Sequence, residues 1–285
     1  MSKRILSLAV IAVGIALAAP VQAESTLNRI KQSGVIKMGY RENSPPFSFV
    51  DQNKRPVGYT VELCQIIADE LAPQLGLNKL EVKWIPVSAQ SRFQALKNSE
   101  IDLECGNSTQ TLSRRADFDF SLMTFVDGAS LLYRGGEAPK SLDELKGQRV
   151  AVVSGTTTEQ TLEELIKLTK LHVVLLKVKD HDAAMGALKD KSATAYAADR
   201  TVLITAVMVR GGEGKAYELG DAQLSYEPYG IVMRRDDEMR LAVDRTLARL
   251  YRTGSISPVL KRWFGALGAP SEGLKAMVLL NGLPE

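Results

Sequence analysis

The chain has 285 residues, of which 45% are apolar and 24% are charged, and its formal net charge is +3. This composition is ordinary for a soluble globular protein. The near balance of charges gives no electrostatic footprint for nucleic acid, so we expect no nucleic-acid partner. With two histidines and two widely separated cysteines, a structural zinc site has no support.

The N-terminus carries the pattern of a secretory signal peptide. Lys3 and Arg4 precede an uncharged apolar run at 5–19, and Val21 and Ala23 suit the −3 and −1 positions of a cleavage site. The run is short for a membrane span, so we favour cleavage after Ala23 over an uncleaved anchor. An exported protein works without a cytosolic ATP or NAD pool, and we therefore predict no cofactor.

In the first half of the mature chain, short apolar runs alternate with helical periods. The predicted elements are a strand at 35–40, a helix at 60–71, a strand at 80–87, a helix capped by Ser88 and a strand at 101–105. This βαβαβ order predicts a mainly parallel sheet that is covered by helices.

A second unit of the same kind begins near residue 141. Strands are predicted at 149–154, 173–178 and 194–198, and the helices that follow them at 155–168, 181–189 and 200–210. The glycine-rich segment 210–215 contains no phosphate-loop pattern, so we interpret it as a turn.

The last elements are a strand at 225–234 and helices at 236–252 and 257–264. They are too few for a third domain and are expected to complete the first one, so that 125–134 and 225–234 cross between two lobes. The predicted fold is α/β, with two α/β lobes joined by two hinge strands and a ligand cleft between them. After the signal peptide 1–23, the first lobe comprises 24–128 and 229–285 and the second lobe 129–228.

Cys64 and Cys105 are the only cysteines. An exported compartment permits a disulfide between them. Because each lies at a predicted buried position, two free buried thiols fit equally well. The sequence leaves both alternatives open.

Polar side chains stand where this topology places strand ends and helix starts. Singly, each is explained as a solvated arginine or a helix cap, but together they form a recognition set for a zwitterion with an extra negative charge. Arg114 offers a planar fork to an α-carboxylate, Thr157 stands at a helix N-terminus, and Asp199 supplies a counter-charge for an ammonium. The set consists of Arg41, Arg92, Asn107, Thr109, Arg114, Thr157, His181 and Asp199.

The stretch 101–121 (IDLECGNSTQTLSRRADFDFS) resembles the segment that lines the pocket in amino-acid-binding periplasmic proteins of bacterial ABC importers. The resemblance to their glutamate/aspartate-binding branch extends to 35–49, 85–92, 153–159, 179–182 and 229–236. It implies a type II periplasmic binding protein fold, a location in the periplasm, and a monomer that binds L-glutamate or L-aspartate and delivers it to an inner-membrane ABC permease.

The resemblance also implies a role for each residue of the set. The α-carboxylate is assigned to Arg114, Thr109 and Thr157, the ammonium to Asp199 and Asn107, and the side-chain carboxylate to Arg41, Arg92 and His181. We further expect protonation of His181 to help hold that carboxylate. Two positions depart from the branch, because Ala89 and Asn107 stand where serine is usual. These departures leave the choice among glutamate, aspartate and a near relative open.

Two other functions use the same fold. A dehydratase of a small carboxylate needs a general acid or base in the cleft, and Glu42, Glu104 and His181 are the nearest candidates. The sequence has no GxSxG motif and no convincing Ser-His-Asp arrangement, so we predict that the chain is not an enzyme. A sensory module that presents its closed form to a receptor would have the same pocket chemistry.

Overall fold

The structure is a computed structural model that describes residues 25–139, 142–209 and 216–285. The predicted signal peptide with its cleavage site, and the predicted turn at 210–215, lie outside these residues. Within the three described ranges, no helix has both the length and the apolar character that crossing a bilayer requires.

The first part of the chain alternates strands and helices. Its elements are α1 (Thr26–Ser33), β1 (Val35–Tyr40), β2 (Asn43–Ser44), β3 (Ser48–Val50), β4 (Pro56–Val57), α2 (Tyr59–Gln74), β5 (Glu81–Pro86), α3 (Arg92–Lys97), β6 (Leu103–Glu104), α4 (Leu112–Arg115), β7 (Phe118–Phe120) and β8 (Phe125–Asp127).

The second part continues the alternation and ends in helices. Its elements are β9 (Ala129–Arg134), β10 (Arg149–Val153), α5 (Thr157–Thr169), β11 (Val174–Val178), α6 (His181–Lys189), β12 (Ala195–Asp199), α7 (Arg200–Val209), β13 (Tyr217–Leu219), β14 (Glu227–Tyr229), β15 (Val232–Arg234), α8 (Asp237–Arg252), α9 (Ile256–Phe264) and α10 (Glu272–Asn281).

Two five-stranded sheets form the centres of two lobes. The first sheet has the order β5-β1-β6-β15-β7, in which β1 is parallel to β5 and β6, and β15 is antiparallel to β6 and β7. The second sheet has the order β11-β10-β12-β9-β13, in which β10 is parallel to β11 and β12. We call the lobes built on them the first and the second lobe; the residue boundaries proposed from the sequence stay a prediction.

The chain crosses between the lobes at β8 and β14, which pair antiparallel with Asp127 opposite Glu227. Each predicted crossing strand is interrupted, at Gly128 and at Gly230. A Cβ atom at Gly128 would lie 2.7 Å from the backbone oxygen of Ser225, and one at Gly230 would lie 2.6 Å from the side-chain nitrogen of Gln110. At Gly128 a side chain would clash with backbone, so glycine is required there, whereas at Gly230 the end of the Gln110 side chain would have to move.

An aromatic cluster anchors the hinge strands to the first lobe. Phe125 of β8 packs against Phe47, Tyr59, Phe264 and Tyr229, and Tyr229 of β14 also packs against Phe47, with ring centroids 4.7–6.2 Å apart. The Tyr59 hydroxyl also donates a hydrogen bond of 2.7 Å to the backbone oxygen of Thr124, just before β8. The first-lobe side of the two hinge strands is therefore closely packed.

A disulfide joins Cys64 of α2 to Cys105, with Cα atoms 6.2 Å apart. Of the two alternatives that the sequence left open, the structure has the cross-link. Cys105 directly follows β6, so the disulfide lies two residues before Asn107.

Other local details differ from the sequence-based expectations. Ser88 caps the turn that leads into α3 rather than α3 itself: its hydroxyl accepts hydrogen bonds from the backbone N–H groups of Gln90 and Ser91, its backbone oxygen accepts from Arg92, and α3 begins at Arg92. The strand predicted at 101–105 shortens to β6, because β1 pairs with only two of its residues. The sequence did not predict α1, α4, α10 or the small sheet β2-β3-β4.

Candidate functional site

All eight residues of the predicted set line one cavity between the two sheets. In the first lobe they follow β1 and β6 or belong to α3 and α4; in the second lobe they begin α5 and α6 or end β12. The eight are Arg41, Arg92, Asn107, Thr109, Arg114, Thr157, His181 and Asp199. The parallel strands thus end at this cavity, as expected for α/β sheets.

The cavity has a volume of about 30 Å³. A larger cavity of about 690 Å³ lies against β8, the start of α7 and the α9–α10 segment, and none of the eight residues lines it. We place the candidate site in the smaller cavity, because there charged side chains from both lobes converge.

Arg92 spans the cleft at one end of the cavity. Its Nε donates a 2.8 Å hydrogen bond to Ser108 Oγ, its Nη1 donates to the backbone oxygen of Ala89, and its Nη2 donates over 3.3 Å to the backbone oxygen of Gly155 in the second lobe. Burial lowers the pKa of Arg92 to about 9. The methyl group of Ala89 offers no donor here, and the hydroxyl of Ser88 is already engaged in its turn.

Glu104 is a buried carboxylate that the sequence suggested only as a general acid. In the described part of the chain neither of its carboxylate oxygens has a hydrogen-bond partner. Burial lowers the pKa of Arg41 and of Arg92, and the charge of Glu104 is the largest influence that opposes this change. The structure therefore gives Glu104 the role of an internal counter-charge to buried arginines. A single glutamate in an apolar strand was the only sequence signal for this role.

His181 is a neutral imidazole in this conformation. Its Nδ1 lies 2.5 Å from the hydroxyl oxygen of Tyr196. Burial, followed by the positive charge of Arg41, lowers the pKa of His181 to about 3, and Asp180 opposes the change only in part. The expectation that protonation of His181 helps to hold a ligand carboxylate concerns the form with an acidic ligand bound, and it stays a prediction.

Asp199 ends β12 at the opposite side of the cavity. Its Oδ1 accepts a 3.2 Å hydrogen bond from the hydroxyl of Thr158, and its Oδ2 accepts one from the hydroxyl of Tyr229 on the hinge strand β14. Burial raises the pKa of Asp199 well above its usual range, and the charges of Glu227 and Asp127 add to this effect. Asp199 forms no salt bridge with the residues that the structure describes, so a positively charged group placed beside it would stabilise its ionised form.

Arg114 is held in place by its own loop. Its Nη1 donates a 2.8 Å hydrogen bond to the backbone oxygen of Thr109, and its guanidinium lies 5.1 Å from the ring centre of Phe93. Arg92 stacks on the same ring at 4.5 Å. Phe93 thus orients two of the three arginines of the site.

The two threonines of the set meet across the cleft. Thr109 Oγ1 lies 3.2 Å from Thr157 Oγ1, and both hydroxyls donate to Oε2 of Glu227, which the sequence analysis did not single out. Asn107 is half-buried and lines the cavity beside them. Among the residues described, no group of three histidine, cysteine, aspartate or glutamate side chains is arranged to hold a metal ion.

Comparison with known proteins agrees with this architecture. The glutamate/aspartate import solute-binding protein of Escherichia coli K12 is 34% identical over 248 residues, which cover 87% of this chain and 82% of that protein. The L-glutamate/L-aspartate-binding protein of Pseudomonas aeruginosa is 30% identical over 253 residues, which cover 87% of this chain and 83% of that protein. The crystal structure of the ancestral amino acid-binding protein AncCDT-1, a precursor of cyclohexadienyl dehydratase, is similar with a TM-score of 0.73 and 25% identity, covering 85% of this chain and 100% of that one.

The family model for bacterial extracellular solute-binding proteins, family 3, matches residues 36–266. That range includes all eight residues of the set and both hinge strands. The chain therefore belongs to the bacterial extracellular solute-binding proteins, family 3, and acts by binding a solute rather than by catalysing a reaction.

Proposed function

We propose that this protein captures an acidic L-amino acid, glutamate or aspartate, between its lobes and delivers it to an ABC permease. The observation that carries the proposal is the set of three arginines, Arg41, Arg92 and Arg114, that line one cavity with Asp199. A neutral amino acid needs one cation for its α-carboxylate. The two further arginines match a second carboxylate.

The proposed roles follow the charge distribution of the cavity. Arg114 binds the α-carboxylate, and Asp199 binds the ammonium. Arg41 and Arg92 bind the side-chain carboxylate, and His181 contributes a neutral ring nitrogen. The names of the E. coli and P. aeruginosa relatives, which refer to glutamate and aspartate, support the same ligand class.

Capture requires the lobes to open and close. In this proposal the ligand enters an open form and docks on the first lobe, which carries all three arginines. Closure then adds Thr157, His181 and Asp199 from the second lobe. The ligand favours closure only through its greater affinity for the closed form. The closed surface is what a permease would distinguish from the empty protein.

The disulfide supports export from the cytoplasm. Cross-links such as Cys64–Cys105 persist in oxidising compartments and are rare in the cytosol. Together with the N-terminal signal pattern, this supports a periplasmic location after cleavage behind Ala23. A monomer suits delivery to a membrane partner.

The choice between glutamate and aspartate depends on the distal end of the cavity. Ala89 offers only its backbone oxygen, which accepts from Arg92, so one side-chain donor of the related proteins is missing. A missing donor costs about 0.5–1.5 kcal/mol, and somewhat more for a charged acceptor. The attraction of Arg41 and Arg92 for a second carboxylate exceeds this loss, so the acids should still bind more tightly than their amides.

The test is calorimetric titration with L-glutamate, L-aspartate, L-glutamine and L-asparagine, after unfolding and refolding the protein to remove carried-over ligand. Preference for the acids over the amides supports the proposal and ranks the two acids. Equal or tighter binding of the amides contradicts it. Uptake of labelled ligand with the permease present then distinguishes transport from a sensory role.

A further inference from the structure

Glu227 lies outside the predicted set and does not line the candidate cavity, yet its carboxylate binds two threonines that do. The side chain is 1% exposed and belongs to the hinge strand β14. Its Oε2 accepts the hydroxyls of Thr109 and Thr157, and its Oε1 accepts the hydroxyl of Ser225 at 2.5 Å. Within the described residues Glu227 forms no salt bridge. The hydrogen-bond donors to its carboxylate are the neutral hydroxyl groups of these three residues.

Glu227 connects both lobes at the hinge end of the cleft. Thr109 belongs to the first lobe and forms a β-bridge with Tyr229, the last residue of β14. Thr157 begins α5 in the second lobe. Both threonines line the ligand cavity. One buried carboxylate therefore orients a hydroxyl from each lobe at the place where the lobes meet.

This orientation determines what the two hydroxyls offer to a ligand. Each threonine hydroxyl has one proton, and both protons are directed to Glu227. The oxygen lone pairs remain for the cavity, and lone pairs accept hydrogen bonds from an ammonium group. The α-carboxylate is then left to Arg114, so this inference departs from the role in α-carboxylate binding that the resemblance implies for the two threonines.

The charge of Glu227 also favours an ammonium group over an anion in this part of the site. Glu227 raises the pKa of Asp199 and of Asp127, so three carboxyl groups influence one another at this end of the cavity. Arg114 feels the charge of Glu227 more than that of any other acidic residue, but it is not in salt-bridge contact with it. A positively charged group brought by the ligand would be stabilised by this cluster.

We infer that Glu227 is a specificity-determining positioning residue, which makes the closed site select ligands that carry an α-ammonium group. The inference rests on the proposed function only in that the ligand is an amino acid. It does not depend on which side chain the ligand carries.

The test compares each amino acid with its counterpart that lacks the amino group. Wild-type protein and Glu227→Gln are titrated with L-glutamate and glutarate, and with L-glutamine and glutaramate. The readout is the ratio of the Kd of the deamino ligand to the Kd of the amino acid. We expect this ratio to fall about tenfold in Glu227→Gln, since a unit charge in a partly buried site acts across several Å. Glu218→Gln, which removes an exposed carboxylate of β13, is the matched control and should leave the ratio unchanged.

A merely structural role for Glu227 would weaken both members of a pair equally. A ratio in Glu227→Gln that stays within about twofold of wild type overturns the inference, whatever the absolute affinities. The inference is also overturned if the wild-type protein does not prefer an amino acid over its deamino counterpart. If the wild type prefers glutamine to glutamate, the proposed acidic ligand is wrong, while the glutamine pair still tests Glu227.

The glutamine substitution should fold, because its amide oxygen can accept from one threonine and its nitrogen can donate to the other. Glu227→Leu is measured in parallel, since the two threonine hydroxyls lie 3.2 Å apart and can bond to each other without the carboxylate. The same fall in the ratio is expected for this variant. A ratio in Glu227→Leu equal to that of wild type overturns the inference even if Glu227→Gln does not fold.

Discussion

Removal of the disulfide should lower stability without changing ligand affinity. Cys64 and Cys105 are separated by 41 residues, and both side chains are fully buried. In the chain-entropy description, a cross-link of this span restricts the unfolded chain by about 4 kcal/mol at 25 °C. The double variant Cys64→Ala/Cys105→Ala should lose about this much of the free energy of unfolding, measured by urea denaturation at equilibrium.

Two comparisons make the reasoning refutable. Wild-type protein under reducing conditions should unfold at a similarly low urea concentration, whereas the double variant should not respond to the reductant. Because the effect acts on the unfolded state, the Kd for glutamate should stay within about threefold of wild type. A loss of less than about 1 kcal/mol would refute the entropic argument. A large rise in Kd would show that the disulfide positions the loop at Asn107.

The remaining predictions concern charges in the cleft. Arg114→Ala should abolish binding of every amino acid tested by calorimetry, because the α-carboxylate is common to all; normal glutamate binding by this variant would disprove the assignment. Arg92→Ala should weaken glutamate at least about tenfold more than glutamine, and equal losses would argue against a distal role. Glu104→Gln should bind acidic ligands more tightly, because a competing anion is removed. Without ligand, the same variant should melt at a lower temperature, because the arginines lose their counter-charge. Weaker glutamate binding by this variant would contradict the role of Glu104 as a counter-charge. Burial raises the pKa of Asp199 and brings that of Asp127 to about 6, so the empty site takes up protons as the pH falls and loses its attraction for an ammonium. Glutamate affinity measured by calorimetry should therefore weaken from pH 8 to pH 5, and a flat profile would rule out this coupling.

Much of the fold follows from local patterns. The helix predicted at 181–189 and the strand predicted at 35–40 coincide with α6 and β1, because strong periodicity and buried faces agree there. The predicted strand ends and helix starts pointed to the eight residues, the resemblance then implied their roles, and the structure brings all eight to one cavity. Their roles toward a ligand stay predictions.

What the sequence missed depends on contacts between distant segments. The strands predicted at 125–134 and 225–234 look continuous in the sequence, but the structure interrupts them at Gly128 and at Gly230, where other segments approach the backbone closely. The lowered pKa of His181 depends on burial and on Arg41 from the other lobe.

The roles of Glu104 and Glu227 were not predicted from the sequence, for a related reason. A glutamate in a short strand is usually a surface residue. Both are buried here, one beside the arginines and the other beneath the two threonines. Their roles became visible only when the lobes were assembled.

The position of β15 has a consequence for how the chain folds. The second sheet is built from a continuous stretch between β9 and β13, so its strands can pair as soon as that stretch is available. The first sheet cannot, because β15 lies between β6 and β7, which precede it by more than a hundred residues. Closing a contact of such long range is slow. During synthesis, which begins at the N-terminus, we therefore expect the second sheet to form before β15 is available to pair with β6 and β7. Truncation before Val232 should leave the first lobe unfolded and the second sheet protected from hydrogen exchange.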